Sequence, residues 1–96
     1  MDRDEVLKHL SSCKEHLKEK YKISDMILFG SYARGDNKED SDLDIAIDTD
    51  LSDYFMLYDL KDELQKRFNT KIDIVRVRKR MNPFLKKRIL NEGINV

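Results

Sequence analysis

This sequence of 96 residues has one cysteine, one proline, three glycines, no tryptophan and no net charge. Cys13 has no second thiol in the chain, which excludes an intrachain disulfide. No apolar run approaches the ~20 residues of a membrane-spanning helix. The first residues, Met-Asp-Arg-Asp-Glu, are too acidic for a secretion signal. The expectation is a soluble, cytoplasmic protein without membrane contact. Linkers, low-complexity tracts and internal repeats are missing as well, so residues 1–96 are expected to form one small domain. The eight aromatics are all Tyr or Phe and 40% of the residues are hydrophobic, enough for a thin core.

Zero net charge points to no particular partner, but the charge is unevenly spread. From Asp36 to Glu63 there are eleven acids and two bases, Lys38 and Lys61. From Lys71 to Arg88 there are eight bases and one acid, Asp73. An acidic centre facing a basic C-terminal third suits a metal plus a polyanion, although charge runs are more often plain solvated faces.

From about Asp4 to Lys20, apolar residues recur at three- and four-residue steps: Val6, Leu10, Cys13, Leu17 and Tyr21. That is an amphipathic helix with Cys13 on its core side. His9 and His16 lie beside this stripe with no third ligand at hand and are expected at the surface. Met26 to Phe29, short and wholly apolar, is expected to be a strand buried on both faces. Tyr32 to Arg34 should make a helical turn ended by Gly35. Asn37 to Ser41 reads as a polar loop and Asp42 to about Asp48 as the second strand.

A second long helix is expected from Leu51 to Phe68, capped by Asp50 or Ser52. Leu57, Leu60, Leu64 and Phe68 would face the core. Phe55 falls nearly opposite Leu64, with Leu51 and Tyr58 between. Lys71 to Val77 alternates as a third strand. Asn82-Pro83 reads as a cap with proline at the first helical position. The last helix would have Phe84, Leu85, Ile89 and Leu90 as its stripe and Gly93 as its end, leaving Ile94 to Val96 for an edge strand. Asp36 to Ser41 is too short for a parallel crossover, so the first two strands are expected to be antiparallel. The expected class is α+β, a small mixed sheet with helices packed on one face.

Side chains alternate along a strand, so Asp42 and Asp44 share one face while Leu43, Ile45 and Ile47 take the other. Adjacent carboxylates repel unless a cation lies between them, and oxygen donors suit Mg²⁺ or Mn²⁺. Asp73, between Ile72 and Ile74, would join them as a third acid if its strand is a neighbour. Three acids on one sheet face can hold two metals for an in-line displacement at phosphorus. Gly30 lets backbone approach a phosphate, and the Ser31 hydroxyl with the N–H groups of the following turn can bind its oxygens. Arg34 can add a bidentate contact. The whole describes a site for a metal-bound nucleoside triphosphate.

Taken in order, "GSYARGD…SDLDIAI" and "KIDIV" resemble the nucleotidyltransferase superfamily of the DNA polymerase β type. Within it they are most similar to the minimal nucleotidyltransferase group, prokaryotic proteins of about this length. The resemblance runs from Ile23 to Val77. It implies the nucleotidyltransferase fold, Gly30 and Ser31 on the triphosphate of ATP, Asp42 and Asp44 on the metal, and Asp73 as third acid and base. It further implies an antitoxin of a HEPN/MNT pair, moving AMP to a tyrosine of a HEPN-domain protein. Alternatives are transfer to a small molecule and a binding module that blocks its partner by contact alone. Leu51, Phe55 and Tyr58, with the basic segment Arg76 to Arg80, are the expected docking stripe. Nucleic-acid binding through Arg76, Arg78, Lys79, Arg80, Lys86, Lys87 and Arg88 ranks last, since only Phe84 accompanies these bases.

Overall fold

In the computed structural model, which describes residues 1–51 and 53–96, the apolar steps of the first helix do what their spacing dictates. Val6, Leu10, Cys13 and Leu17 line the buried side of α1 (Arg3–Lys20), whose first turn is capped by the Asp2 carboxylate accepting the Glu5 N–H at 2.9 Å. There follow β1 (Ile23–Phe29), the short α2 (Ser31–Arg34), β2 (Leu43–Thr49), α3 (Tyr54–Phe68), β3 (Ile72–Arg76), α4 (Pro83–Glu92) and β4 (Ile94–Asn95). The strands form one sheet in the order β3-β2-β1-β4. β1 runs antiparallel to β2 and β4, and β2 runs parallel to β3. The short 36–41 link permits only the first arrangement, while α3 supplies the crossover that the parallel pair needs.

Alternation divides the core in two. Met26, Leu28, Leu43, Ile45, Ile47 and Ile72 pack under α1 and α3. Phe29 and Ala46, with Ile27 and Val75 partly buried, point to the other face and meet Ile89 and Leu85 of α4. The α+β class holds, and the two long helices do cover one face. The short α4 lies on the opposite face, which is why the end of β1, Met26 to Phe29, is apolar on both sides. Glu63 ties the long helices together, accepting from Lys20 Nζ at 2.9 Å and from the Tyr21 hydroxyl at 3.0 Å, with His16 at 3.2 Å.

Three expectations are corrected. α3 starts later than expected, its cap being Asp53, whose carboxylate accepts the Phe55 N–H at 2.9 Å. Asp50 is not the cap, and Ser52 lies outside the described residues. The buried stripe of α3 is Met56, Leu60, Leu64 and Phe68, with Leu57 only partly buried. Moving the helix start moves no side chain, but it shows that the core face is centred nearer Met56 than the apolar count suggested. On α4, Ile89 is buried and Leu85 partly so, while Phe84 and Leu90 are exposed. Only the i, i+4 pair Leu85 and Ile89 meets the sheet, and the four-residue stripe was too wide.

Candidate functional site

The site is assembled where β1 ends and β2 and β3 begin. Phe29, the last residue of β1, pairs with Asp44, and Asp44 pairs with Asp73 across the parallel β2–β3 ladder. Both acids therefore leave the same sheet face, as the alternation required. Asp42 stands just ahead of β2, where the Leu43 N–H donates to the Lys71 carbonyl at 2.9 Å and fixes the approach.

Gly30 links β1 to α2 with φ 77° and ψ −157°, a region open essentially to glycine alone. A Cβ at Gly30 would overlap the Asp44 carboxylate. The backbone turn and the acid are thus in direct contact, and no other residue type fits between them. Ser31 opens α2, whose single turn is closed by Gly35 in the left-handed region, its N–H donating to the Ser31 carbonyl at 2.9 Å. Tyr32 and Ala33 anchor that turn in the core.

Burial, then the neighbouring charges of Asp73 and Asp42, pushes the Asp44 carboxyl up to about 6 against the opposing pull of Arg88 and Arg34. Burial and the neighbouring acids outweigh these two guanidinium groups. Among the described residues no three His, Cys, Asp or Glu side chains, Asp42, Asp44 and Asp73 included, draw together closely enough to hold a metal ion by themselves. Magnesium is commonly held by one or two carboxylates together with substrate phosphates rather than by an all-protein cage. The paired carboxylates of Asp44 and Asp73, with Asp42 just ahead of β2, have the oxygen donors that suit a cation whose remaining ligands come from a polyphosphate.

Arg34 points toward this region but is shared between two acids. Its Nε lies 3.0 Å from Asp36 and its Nη1 3.0 Å from Glu92. Glu92 and Arg88 of α4 were not among the expected site residues. Glu92 accepts the Gly30 N–H at 3.2 Å, and the Arg88 guanidinium sits over the Phe29 ring at 5.7 Å. A signal existed. Glu92 ends α4, where the helix dipole disfavours an acid, and no base occupies that last turn. What the sequence could not supply is the packing of α4 across the sheet. Asp42 and Asp44 are partly buried, and Asp73 is exposed. A hollow of about 440 Å³ between Tyr32, Asn37 to Glu39 and Phe68 to Thr70 includes none of Gly30, Ser31, Asp42, Asp44 or Asp73.

Residues 11–96 match the family described as polymerase beta, nucleotidyltransferase. A Methanocaldococcus jannaschii protein named "putative protein adenylyltransferase" is 39% identical over 95 residues, covering 96% of this chain and 95% of that protein. A solved structure described as a "putative minimal nucleotidyltransferase" superposes with a TM-score of 0.82 at 27% identity, over 100% of this chain and 97% of that one. Another, a tri-AMPylated Shewanella oneidensis HEPN toxin in complex with MNT antitoxin, gives a TM-score of 0.62 at 22% identity, over 97% of this chain and 66% of that one.

Proposed function

The chain belongs to the polymerase beta nucleotidyltransferase family, and from that premise we propose that it transfers AMP from ATP to a tyrosine of a HEPN partner protein and so silences it. The observation that carries this is the Asp44 carboxylate, lodged against Gly30 and beside Asp73 with its pKa raised to about 6. Such a group is costly unless a cation completes it. Asp42 and Asp44 would hold Mg²⁺ or Mn²⁺, with Asp73 as the third acid. The chemistry such a cation would supply there is neutralisation of charge on the α-phosphoryl group and on the leaving pyrophosphate.

The protein's own residues do the rest. The Ser31 hydroxyl and the backbone around Gly30 seat the triphosphate, with Arg34 beside them. Asp73, exposed at the mouth of the site, accepts the proton of the incoming hydroxyl. The acceptor oxygen bonds to the α-phosphorus, the bond from that phosphorus to the bridging oxygen breaks, and pyrophosphate leaves. The name of the Methanocaldococcus jannaschii relative supports AMP transfer to protein, and the Shewanella oneidensis complex supports a HEPN acceptor. Phe55 and Tyr58, 79% and 71% exposed on α3, offer a surface for that acceptor.

Calorimetric titration with Mg²⁺ and ATP tests the site. The parent should bind, and the double variant Asp42→Asn with Asp44→Asn should not, while keeping its fold. Equal binding by the two proteins would remove these acids from the site.

A further inference from the structure

One carboxylate already holds the donors that the nucleotide needs. Glu92 Oε2 accepts the Gly30 N–H at 3.2 Å, and Glu92 Oε1 lies 3.0 Å from Arg34 Nη1. Arg88 Nε stands 3.9 Å from the same Oε2. A backbone N–H at a glycine turn plus a guanidinium is the usual equipment for a phosphate oxygen. Here both are occupied by an anion of similar geometry.

We propose that Glu92 competes with the polyphosphate for Gly30 and Arg34, and that nucleotide binding requires its side chain to swing away. This rests on the nucleotide-binding reading given above and adds a residue that sets affinity. Three features support competition rather than simple bracing. Glu92 ends α4, where the helix dipole opposes a negative charge, so its place there is maintained by the basic groups it meets. The α4 end is pinned. The Gly93 N–H donates to the Ile89 carbonyl at 2.9 Å, a Cβ on Gly93 would overlap that carbonyl, and β4 follows at once on the edge of β1. The backbone therefore stays while the Glu92 side chain turns about its own bonds. Finally, a retained Glu92 would place its charge against the incoming phosphates at the turn that receives them, and like charges this close repel.

Displacement leaves Arg34 held by Asp36 alone and sets Arg34 and Arg88 facing the phosphates. The exchange is one anion for another on the same donors. Its cost appears only as weaker nucleotide binding, and its benefit as a stable turn. Stability and affinity should then respond to Glu92 with opposite signs.

The test compares the parent, Glu92→Gln and Glu92→Ala, each titrated with inorganic triphosphate and with Mg²⁺-ATP, alongside thermal unfolding. Competition predicts lower melting temperatures for both variants and tighter binding of both probes, by roughly five- to tenfold as is common for couplings of this kind. A bracing role predicts that both properties weaken together, and that result would overturn the proposal. Unchanged affinity would overturn it as well. If the alanine variant does not fold, the glutamine variant, which keeps the length and an acceptor oxygen, decides alone. If neither variant folds, the parent decides: titrating triphosphate should shift the Glu92 carboxyl carbon resonance in step with the Gly30 amide, and a stationary Glu92 signal would contradict displacement. A parent that binds neither probe would defeat the nucleotide-binding reading itself, and is thereby distinguished from failure of the competition.

Discussion

Asp44 is the residue on which the proposed chemistry turns, and its raised pKa has a consequence whose sign can be measured. Its pKa in the folded protein is about 6, above the ordinary carboxylate value, because burial and the charges of Asp73 and Asp42 disfavour ionisation. The folded state then binds more protons than the unfolded state between about pH 4 and 6, so this group's contribution to stability falls as pH rises through that window. Asp44→Asn should be more stable than the parent at pH 7 in the presence of chelator, and the difference should shrink toward zero near pH 4. Thermal unfolding across that range checks it, and a difference independent of pH would count against the assigned environment. Gly30 carries the matching backbone constraint. Gly30→Ala should cost about 1–3 kcal/mol for its glycine-only backbone and more for displacing the Asp44 carboxylate. Gly35→Ala, at φ 83° with nothing within 4 Å of a new Cβ, should cost less. Chemical denaturation of both variants measures the gap. Gly30, Asp42 and Asp44 were legible in the sequence because the turn and the strand period are local. Glu92 and Arg88 were not, because only the crossing of α4 over the sheet brings them to Gly30.

At the level of elements, periodicity identified every helix and strand but misjudged their widths. Helix α3 shows why. Its exposed flank carries Phe55 and Tyr58, while Leu51, expected on the same stripe, is partly buried against the core. Arg76, expected in the docking segment, turns instead to the Thr49 carbonyl at 2.9 Å and holds β3 to the end of β2. The proposed docking surface is therefore narrower than the sequence implied, and Phe55, 79% exposed, is its clearest member. Phe55→Ser should change stability by no more than about 0.5 kcal/mol, as substitutions at exposed positions do. It should leave Mg²⁺-ATP binding intact and slow AMP transfer to the partner. Equal transfer rates for parent and variant, at partner concentrations below saturation, would place the interface elsewhere. On α4 the exposed Phe84 and Leu90 make the same point in reverse: they were counted toward a core that only Leu85 and Ile89 reach.

For the whole molecule, the sheet order β3-β2-β1-β4 is what turns separate motifs into one site. The parallel β2–β3 pair sets Asp73 beside Asp44, and the antiparallel β1–β2 pair sets the glycine turn against it. The mixed sheet was foreseeable from link lengths. The acidic centre and basic C-terminal third were visible in the sequence as well, but how they meet was not: α4 carries Arg88 and Glu92 back over the end of β1, so the basic third enters the acidic site. The central claim, metal-dependent AMP transfer to a tyrosine of a HEPN partner, is tested most directly by incubating the chain, Mg²⁺ and ATP labelled at the α-phosphate with that partner. The expected result is label on a partner tyrosine, absent without divalent cation and absent with Asp42→Asn and Asp44→Asn, with the partner's activity falling in step with labelling. Silencing of the partner without any transferred label, or labelling that survives loss of both acids, would contradict it.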